Sequence, residues 1–165
     1  MENRVQRLVR IAAVAAIYVA ATLLVAPLAF GPVQFRFSEV LVLLCFYRKD
    51  YGYALTLGCA VANLFSPLGL VDVVFGSLAT ALSAFAIYRC RSLLIASFFP
   101  TLGCVIVGVE LHLLTEAPLI ATCLMVMAGE LVVVTGLGWP LFRFLGKKRA
   151  FLTLLRPDRE IPASR

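Results

Sequence analysis

Ionisable side chains stand out in this sequence because several of them interrupt long apolar stretches. Outside the chain ends and the basic turns, they are Arg36, Glu39, Asp72, Glu110, His112, Glu116 and Glu130. A charged group among apolar residues at membrane depth is costly unless it is paired, hydrated or functional. Each of these residues is therefore a candidate for a buried polar site.

Glu130 is the strongest candidate of the set. It lies about thirteen residues into the last apolar stretch, which places it near mid-membrane at about 1.5 Å per residue of helix. A carboxylate at that depth cannot reach water by extending its side chain. We expect Glu130 to form the floor of an outward-open pocket, with Glu110 as the next candidate.

The other ionisable residues have alternatives that the sequence leaves open. Arg36 and Glu39 are three residues apart, so they could pair with each other at a helix entrance instead of binding a ligand. Asp72 could cap the N-terminus of the helix that follows the turn at residues 66–69. Glu116 is expected to be solvated in a short turn, and His112 to be an interfacial or hydrogen-bonded histidine.

Catalytic and metal-binding motifs are not found. The sequence has no phosphate-binding GxxxxGK[ST], no HExxH and a single histidine without an evident nucleophile partner. The five cysteines form no CxxC pair and are predicted to be small apolar packing residues. We therefore expect no enzyme activity, no metal and no cofactor, and any ATP hydrolysis must occur in another chain.

The composition predicts a membrane protein. Hydrophobic residues make up 62% of the chain and charged residues 15%, which leaves a soluble domain little polar surface. Apolar runs of about 20 residues, enough to cross the hydrocarbon core as a helix, recur along the chain. The first run follows three arginines but is too long for a signal peptide, so we interpret it as a retained helix.

The apolar runs predict an all-α membrane protein with six transmembrane helices, of which the second and third are short. Residues 1–150 form the predicted six-helix substrate-binding domain, and residues 151–165 a mobile cytoplasmic tail. The predicted spans are 8–28, 38–47, 50–64, 71–88, 93–114 and 117–143.

Basic residues set the predicted orientation. Every lysine and arginine except Arg36 falls on one side of this topology, and cytoplasmic flanks retain such residues. Both termini are therefore predicted to be cytoplasmic. The same clusters lie between apolar stretches and form no basic face, so nucleic acid is not an expected partner. We expect an interfacial aromatic belt near this cytoplasmic boundary. Its members are Trp139 and four tyrosines, Tyr47, Tyr51, Tyr53 and Tyr88.

Small residues recur every four positions on the first predicted helix, at Ala12, Ala16 and Ala20. Such stripes let helix backbones approach closely in lipid. The stripe fits docking to a partner helix, and it equally fits packing inside the protein.

Two segments carry a resemblance to a known family. QFRFSE at residues 34–39 and GCAVANLFSPLGLVDVVFGSLAT at residues 58–80 resemble the signature of the QueT family of membrane transport proteins. The resemblance extends through the apolar layout from Arg7 to about Leu145. That family is similar to the substrate-capture subunits (S components) of energy-coupling factor transporters, which have six helices.

The resemblance implies uptake of a queuosine precursor, a 7-deazaguanine such as its aminomethyl form, across the plasma membrane of a prokaryote. It also implies three partner chains, namely a transmembrane coupling subunit and two ATPase subunits. The alanine stripe resembles the motif through which such capture subunits dock on the coupling subunit.

A deazaguanine would suit an acidic pocket. Its ring N–H and amino groups are donors that a carboxylate accepts in pairs, and its aminomethyl group is cationic at neutral pH. Phenylalanines could stack on the ring, with Phe35 and Phe65 as further candidates, and Ser66 could add a hydrogen bond. The predicted substrate-binding residues are Glu130, Glu110, Glu39, Asp72, Arg36, Asn63, Phe37 and Phe75.

Other functions remain open at this point. The same architecture could capture another small vitamin or heterocycle, because pocket residues change while a fold persists. A self-sufficient proton-coupled carrier could use Glu130 and Glu110 as relays, and a structural membrane partner would bind no ligand.

Overall fold

The computed structural model describes residues 3–158, and all regular structure in that range is helical. Four helical stretches are long and apolar enough to cross a membrane: Arg4–Leu24, Leu70–Arg89, Leu93–Thr115 and Leu119–Leu145. The prediction of an all-α membrane architecture is confirmed at this level.

The helices follow one another with short connections. In chain order they are α1 (Arg4–Leu24), α2 (Ala26–Ala29), a 3₁₀ helix (Phe37–Phe46), α3 (Asp50–Asn63), α4 (Leu70–Arg89), α5 (Leu93–Ala96), α6 (Phe99–Thr115), α7 (Leu119–Glu130), a π-helical segment (Leu131–Gly138), α8 (Trp139–Leu145) and α9 (Arg149–Leu155).

The second predicted span is a 3₁₀ helix of ten residues, Phe37–Phe46. At about 2.0 Å per residue it covers roughly 20 Å, more than the same residues would cover as an α-helix. Runs of this length are uncommon because 3₁₀ hydrogen bonds have poorer geometry. The segment is nonetheless held by burial, since Val42, Leu43 and Cys45 are fully enclosed.

The last long stretch changes helix type in its middle. Glu130 ends α7, and the π-helical segment follows directly before α8. This segment packs against the 3₁₀ helix, and the missing side chain of Gly138 permits that approach because a Cβ there would lie 3.2 Å from the Leu43 side chain. Two irregular helices therefore lie side by side in the interior.

The predicted fifth span is interrupted. The structure divides residues 93–115 into α5 and α6, with a break at residues 97 and 98 before Pro100 in the first turn of α6. Proline fits a first turn because that position has no intrahelical N–H bond to lose. The Ser97 carbonyl at the break accepts a hydrogen bond from Thr135 of the π-helical segment at 3.0 Å.

The apolar core occupies the half of the molecule where the described chain ends meet. Its largest enclosed side chains include Tyr47, Tyr51, Leu55 and Ile87. The two tyrosines were predicted to lie in an interfacial belt, and that prediction is wrong. They are buried, and each hydroxyl donates to a backbone carbonyl at 3.2 Å, from Tyr47 to Phe142 and from Tyr51 to Leu155.

The two ends of the described chain lie together. Arg7 and Arg48 both pair with Asp50, at 2.5 and 2.7 Å. Arg10 on α1 donates to the Leu155 carbonyl of α9 at 3.4 Å. The predicted cytoplasmic tail thus includes part of a helix, Arg149–Leu155, while residues 159–165 lie outside the described residues.

Candidate functional site

A cavity of about 30 Å³ lies between the 3₁₀ helix, α4, α6 and α7. Three charged side chains line it, Arg36, Glu39 and Glu130, and all three are buried. The rest of its wall consists of Gln34, Gly76, Ala79, Thr80, Ser83, Pro100, Cys104, Val107 and Val126. We call it the small cavity.

Arg36 lies just before the 3₁₀ helix and is held from two sides. Its Nε donates to the Ala29 carbonyl at 3.3 Å, and its guanidinium lies 5.5 Å from the centre of the Phe30 ring. Its Nη2 is 3.6 Å from Oδ2 of Asp72 on α4. The alternative in which Arg36 pairs with Glu39 is therefore not what the structure shows.

Glu39 lies in the first turn of the 3₁₀ helix, and its carboxylate accepts a hydrogen bond from the Tyr18 hydroxyl of α1. Glu130 lies where α7 gives way to the π-helical segment. Both carboxylates line the small cavity from different elements. The structure therefore brings Glu130 together with Arg36 and Glu39, which lie far from it in the sequence.

Asp72 does not cap α4. The N-cap position is Gly69, and Asp72 lies in the first turn with its Oδ2 toward Arg36. Its Oδ1 has no hydrogen-bond partner among the described residues. Asn63 donates from Nδ2 to the Asp72 carbonyl at 2.8 Å, so this amide supports the backbone of Asp72.

Gly76 gives the Asn63 amide the room it needs. A Cβ at Gly76 would collide with Asn63 Nδ2 and lie 3.6 Å from Asp72 Oδ1. Gly76 also lines the small cavity. The absence of a side chain at this position therefore lets the Asn63 and Asp72 side chains lie close to the cavity wall.

Glu110 on α6 is the most isolated of the buried carboxylates. Only 1% of its surface is exposed, and neither carboxylate oxygen has a hydrogen-bond partner among the described residues. Asp72 and Arg36 are near enough to act on it electrostatically. A buried carboxylate of this kind in a membrane protein is a candidate functional group.

A second, larger cavity of about 390 Å³ lies beside the first. Asp72 is its one charged lining residue among those described, and Ser66 from the predicted set is also in its wall. The wall includes Phe30, Gly31, Pro32, Gln34, Pro67, Leu68, Leu111, Thr115, Ala117, Thr122 and Met125. We call it the large cavity, and Gln34 lines both.

The phenylalanines predicted to stack on a ligand are not in either cavity wall. Phe37 and Phe65 are exposed at 42% and 64%, and Phe35 and Phe75 are half-buried. The apolar part of the small-cavity wall instead includes Pro100, Val107 and Val126. Aromatic residue type alone does not show which face of a membrane helix a side chain occupies.

Two residues of this region did not emerge from the sequence. Gln34 is buried and has a φ of 50°, a left-handed conformation that is uncommon outside glycine. Tyr18 is fully enclosed and reaches Glu39. A hydroxyl in the middle of an apolar helix needs a partner, and that signal could have identified Tyr18.

His112 and Glu116 lie away from the small cavity. His112 Nδ1 is 2.6 Å from the Ala117 carbonyl, in the turn between α6 and α7, and so is a hydrogen-bonded histidine. Glu116 is exposed and ends α6 with a φ of 56°. Among the described residues, no group of histidine, cysteine and acidic side chains could hold a metal ion.

The alanine stripe faces outward. Ala12, Ala16 and Ala20 are all exposed, whereas the buried face of α1 consists of Ala15, Tyr18 and Thr22. The alternative in which the stripe packs inside the protein is therefore not what the structure shows. The face is free to meet lipid or another chain.

Comparison with known proteins adds to this description. The chain is 40% identical over 81 residues to the "Queuosine precursor transporter QueT" of Lactococcus lactis subsp. cremoris (strain MG1363). That match covers 48% of this chain and 47% of the relative, so the chain spans about half the length of the curated relative that it matches. No solved structure matches.

The QueT transporter family matches residues 8–147, a range that includes both cavities and all four long apolar helices except the first residues of α1. The family is one of transporters and not of enzymes. This coverage decides the assignment, and the chain belongs to the QueT transporter family.

Proposed function

We propose that this protein captures a queuosine precursor in the small cavity for uptake, with a 7-deazaguanine such as 7-aminomethyl-7-deazaguanine as the ligand. The observation that supports it best is a charge imbalance. Among the described residues, five acidic side chains are buried, and one of them, Asp50, pairs with Arg7 and Arg48. The other four have one buried guanidinium, that of Arg36, among them: Glu39, Asp72, Glu110 and Glu130. A cationic ligand rich in N–H donors would correct that imbalance.

The ligand chemistry matches the cavity. The aminomethyl cation and the guanine-like edge both present donors, and the small cavity offers carboxylates from two sides, Glu39 and Glu130. Pro100, Val107 and Val126 supply apolar surface for the faces of the ring.

We further propose that the protein is an S component of an energy-coupling factor transporter. Its partners are then a transmembrane coupling subunit and two ATPase subunits. The exposed alanine stripe on α1 supports this proposal because small residues allow a partner helix to approach closely. No phosphate-binding motif occurs in the chain, so ATP hydrolysis has to be supplied by partners.

The proposed topology has six spans and two cytoplasmic termini in the plasma membrane of a prokaryote. The 3₁₀ helix and α3 are the short second and third spans. Contacts between α1 and α9 support termini on one side, and the basic residues around Asp50 support a cytoplasmic side. Cysteines introduced at positions 3 and 160 should be protected from a labelling reagent outside the cell.

Ligand binding tests the capture proposal. The purified protein should bind 7-aminomethyl-7-deazaguanine in calorimetry, and Glu39→Gln, Asp72→Asn, Glu110→Gln and Glu130→Gln should be measured beside it. When a ligand group loses its charged partner at a desolvated contact, the binding free energy falls by about 2–5 kcal/mol, which corresponds to a loss of roughly 30-fold or more in affinity. If all four variants fold and bind within about threefold of the parent, the acidic-site proposal is wrong.

Docking is tested separately with Ala16→Leu. This change adds bulk to the exposed stripe, so it should abolish ATP-driven uptake while ligand binding by the isolated protein stays near normal. Ala128→Leu, at an exposed position on α7, is the matched control and should leave uptake intact. Uptake that continues after deletion of the ATPase subunits would indicate a self-sufficient carrier instead.

A further inference from the structure

We infer that Tyr18 is a positioning residue that holds Glu39 at the wall of the small cavity and thereby links α1 to the ligand site. The inference rests on the proposed capture function and adds a residue outside the cavity lining. Tyr18 belongs to α1, whereas Glu39 belongs to the 3₁₀ helix and lines the cavity.

The contact between the two side chains is enclosed. Tyr18 has no exposed surface and Glu39 is 6% exposed. The Tyr18 hydroxyl donates to Oε1 of Glu39, and this is the hydrogen bond that the structure gives the Glu39 carboxylate. With one oxygen held by Tyr18, the orientation of the carboxylate is set and its other oxygen is left for a ligand donor.

A second hydrogen bond joins the same two elements one turn away. Thr22 Oγ1 donates to the Tyr18 carbonyl at 2.9 Å, so Ser38 Oγ is left to donate to Thr22 at 2.6 Å. Ser38 is 1% exposed and does not line the small cavity. The Thr22 contact therefore ties α1 to the 3₁₀ helix without touching the ligand site.

Tyr18 itself has little freedom. A Cβ at Gly58 on α3 would lie 3.1 Å from both the Tyr18 Cβ and the Ala15 carbonyl, so the two helices are in close contact at this point. The ring is fixed between α1 and α3, and its hydroxyl position follows the position of α1. Movement of α1 must therefore move the Glu39 contact or break it.

Through this link, the two faces of α1 have different roles. Its exposed face carries Ala12, Ala16 and Ala20, and its buried face carries Tyr18. A partner that docks on the outer face and shifts α1 alters Glu39 at the cavity. By thermodynamic linkage, ligand contact with Glu39 then alters the affinity for that partner by the same factor.

A double-mutant cycle tests the role of Tyr18. The affinity for 7-aminomethyl-7-deazaguanine is measured by calorimetry for the parent, Tyr18→Phe, Glu39→Gln and the double variant. Tyr18→Phe should weaken binding roughly tenfold, the size expected for one hydrogen bond to a charged group. In the Glu39→Gln background the same change should have an effect of less than about twofold, because Tyr18 acts through Glu39.

Thr22→Val is the matched control, since it breaks the neighbouring contact between the same elements. It should lower the unfolding temperature in detergent and leave affinity within about twofold of the parent. Equal losses for Tyr18→Phe in both backgrounds, no loss in either, or an equal loss for Thr22→Val would overturn the positioning role. A parent protein that does not bind the probe would overturn the proposed function itself, and with it the inference.

Discussion

The two cavities differ in a way that volume does not explain. The large cavity, about 390 Å³, has Asp72 as its one charged lining residue among those described. The small cavity, about 30 Å³, has Arg36, Glu39 and Glu130. Charged groups in an apolar surrounding are costly, which makes a cluster of them a candidate functional site. The difference therefore supports the proposal that the small cavity binds the ligand.

The backbone around the two cavities differs as well. The small cavity lies beside the 3₁₀ helix and the start of the π-helical segment, whereas the large cavity is lined from helix ends and turns. In 3₁₀ and π helices the side chains do not follow the spacing of an α-helix, and such segments often occur at functional sites. They place Glu39 and Glu130 on facing elements of one cavity.

The largest effect expected from this comparison is that of Glu130→Gln. The amide keeps the size of the side chain but removes its charge and offers a donor to a donor-rich ligand. Affinity for 7-aminomethyl-7-deazaguanine should fall by roughly 30-fold or more in calorimetry. Ser66→Ala, a change in the large cavity wall, is the control and should stay within about twofold.

An equal loss in Ser66→Ala and Glu130→Gln would reverse the assignment of the two cavities. Circular dichroism of each variant establishes that the helical content is unchanged. With that check, the difference between the two affinities reports on ligand contact alone.

Gly76→Ala should have the next largest effect. The added methyl group collides with Asn63 Nδ2, which supports the Asp72 backbone, and displaces an amide that is 1% exposed. An unsatisfied buried amide costs about 1–3 kcal/mol, so the unfolding temperature and the ligand affinity should both fall. The measurements are thermal unfolding in detergent and calorimetry.

Gly52→Ala on α3 is the matched control for Gly76→Ala. A Cβ there would lie 3.4 Å from the Ala84 Cβ, which is ordinary contact, and alanine favours the helix. Its unfolding temperature should equal or exceed that of the parent. A drop of the same size in both variants would show that glycine in these helices matters for packing in general and not for the cavity wall.

Much of the architecture could be predicted from the sequence because lipid imposes simple rules. Long apolar runs became helices within a few residues of the predicted bounds, as at α4, which was predicted at residues 71–88. The 3₁₀ helix could not be anticipated, since its hydrophobic residues have no period that separates it from an α-helix. Its stability comes from burial against the π-helical segment, which is a tertiary effect.

The candidate site was predictable in its charges and not in its other members. Glu39, Arg36 and Glu130 were found because ionisable groups among apolar residues need a reason. Phe37 and Phe75 were chosen for their type, and type does not reveal direction. Gln34 depends on a left-handed backbone conformation, and Tyr18 on the pairing of α1 with the 3₁₀ helix.

Glu110→Gln should sharpen the comparison, because Glu110 is buried without lining either cavity wall. Loss of its charge weakens attraction for the cationic ligand without breaking a contact in the small cavity. The affinity should fall by roughly three- to tenfold, corresponding to about 1 kcal/mol. Removal of an unpaired buried charge should also raise the unfolding temperature of the ligand-free protein.

This prediction is specific because ligand affinity should fall while the unfolding temperature rises. A direct contact in the binding site would instead give a loss as large as that of Glu130→Gln. A lower unfolding temperature would show that Glu110 has a stabilising partner in the folded protein.

The smallest expected effect comes from a matched pair of hydroxyl deletions, one in each cavity. Thr80 lines the small cavity and Thr122 the large one, and they are 6% and 8% exposed. Valine keeps the shape of threonine, so each change removes little except a hydroxyl. Thr80→Val should weaken ligand binding by about threefold, within the net value of one neutral hydrogen bond. Thr122 donates to the carbonyl of Pro118, the N-cap of its helix, at 2.9 Å, so Thr122→Val should change affinity by less than about twofold.

Calorimetry of both variants and the parent, with 7-aminomethyl-7-deazaguanine as the probe, gives the ratio of their affinities. A larger loss in Thr122→Val than in Thr80→Val would place the bound ligand in the large cavity, against the charge distribution from which the assignment was made.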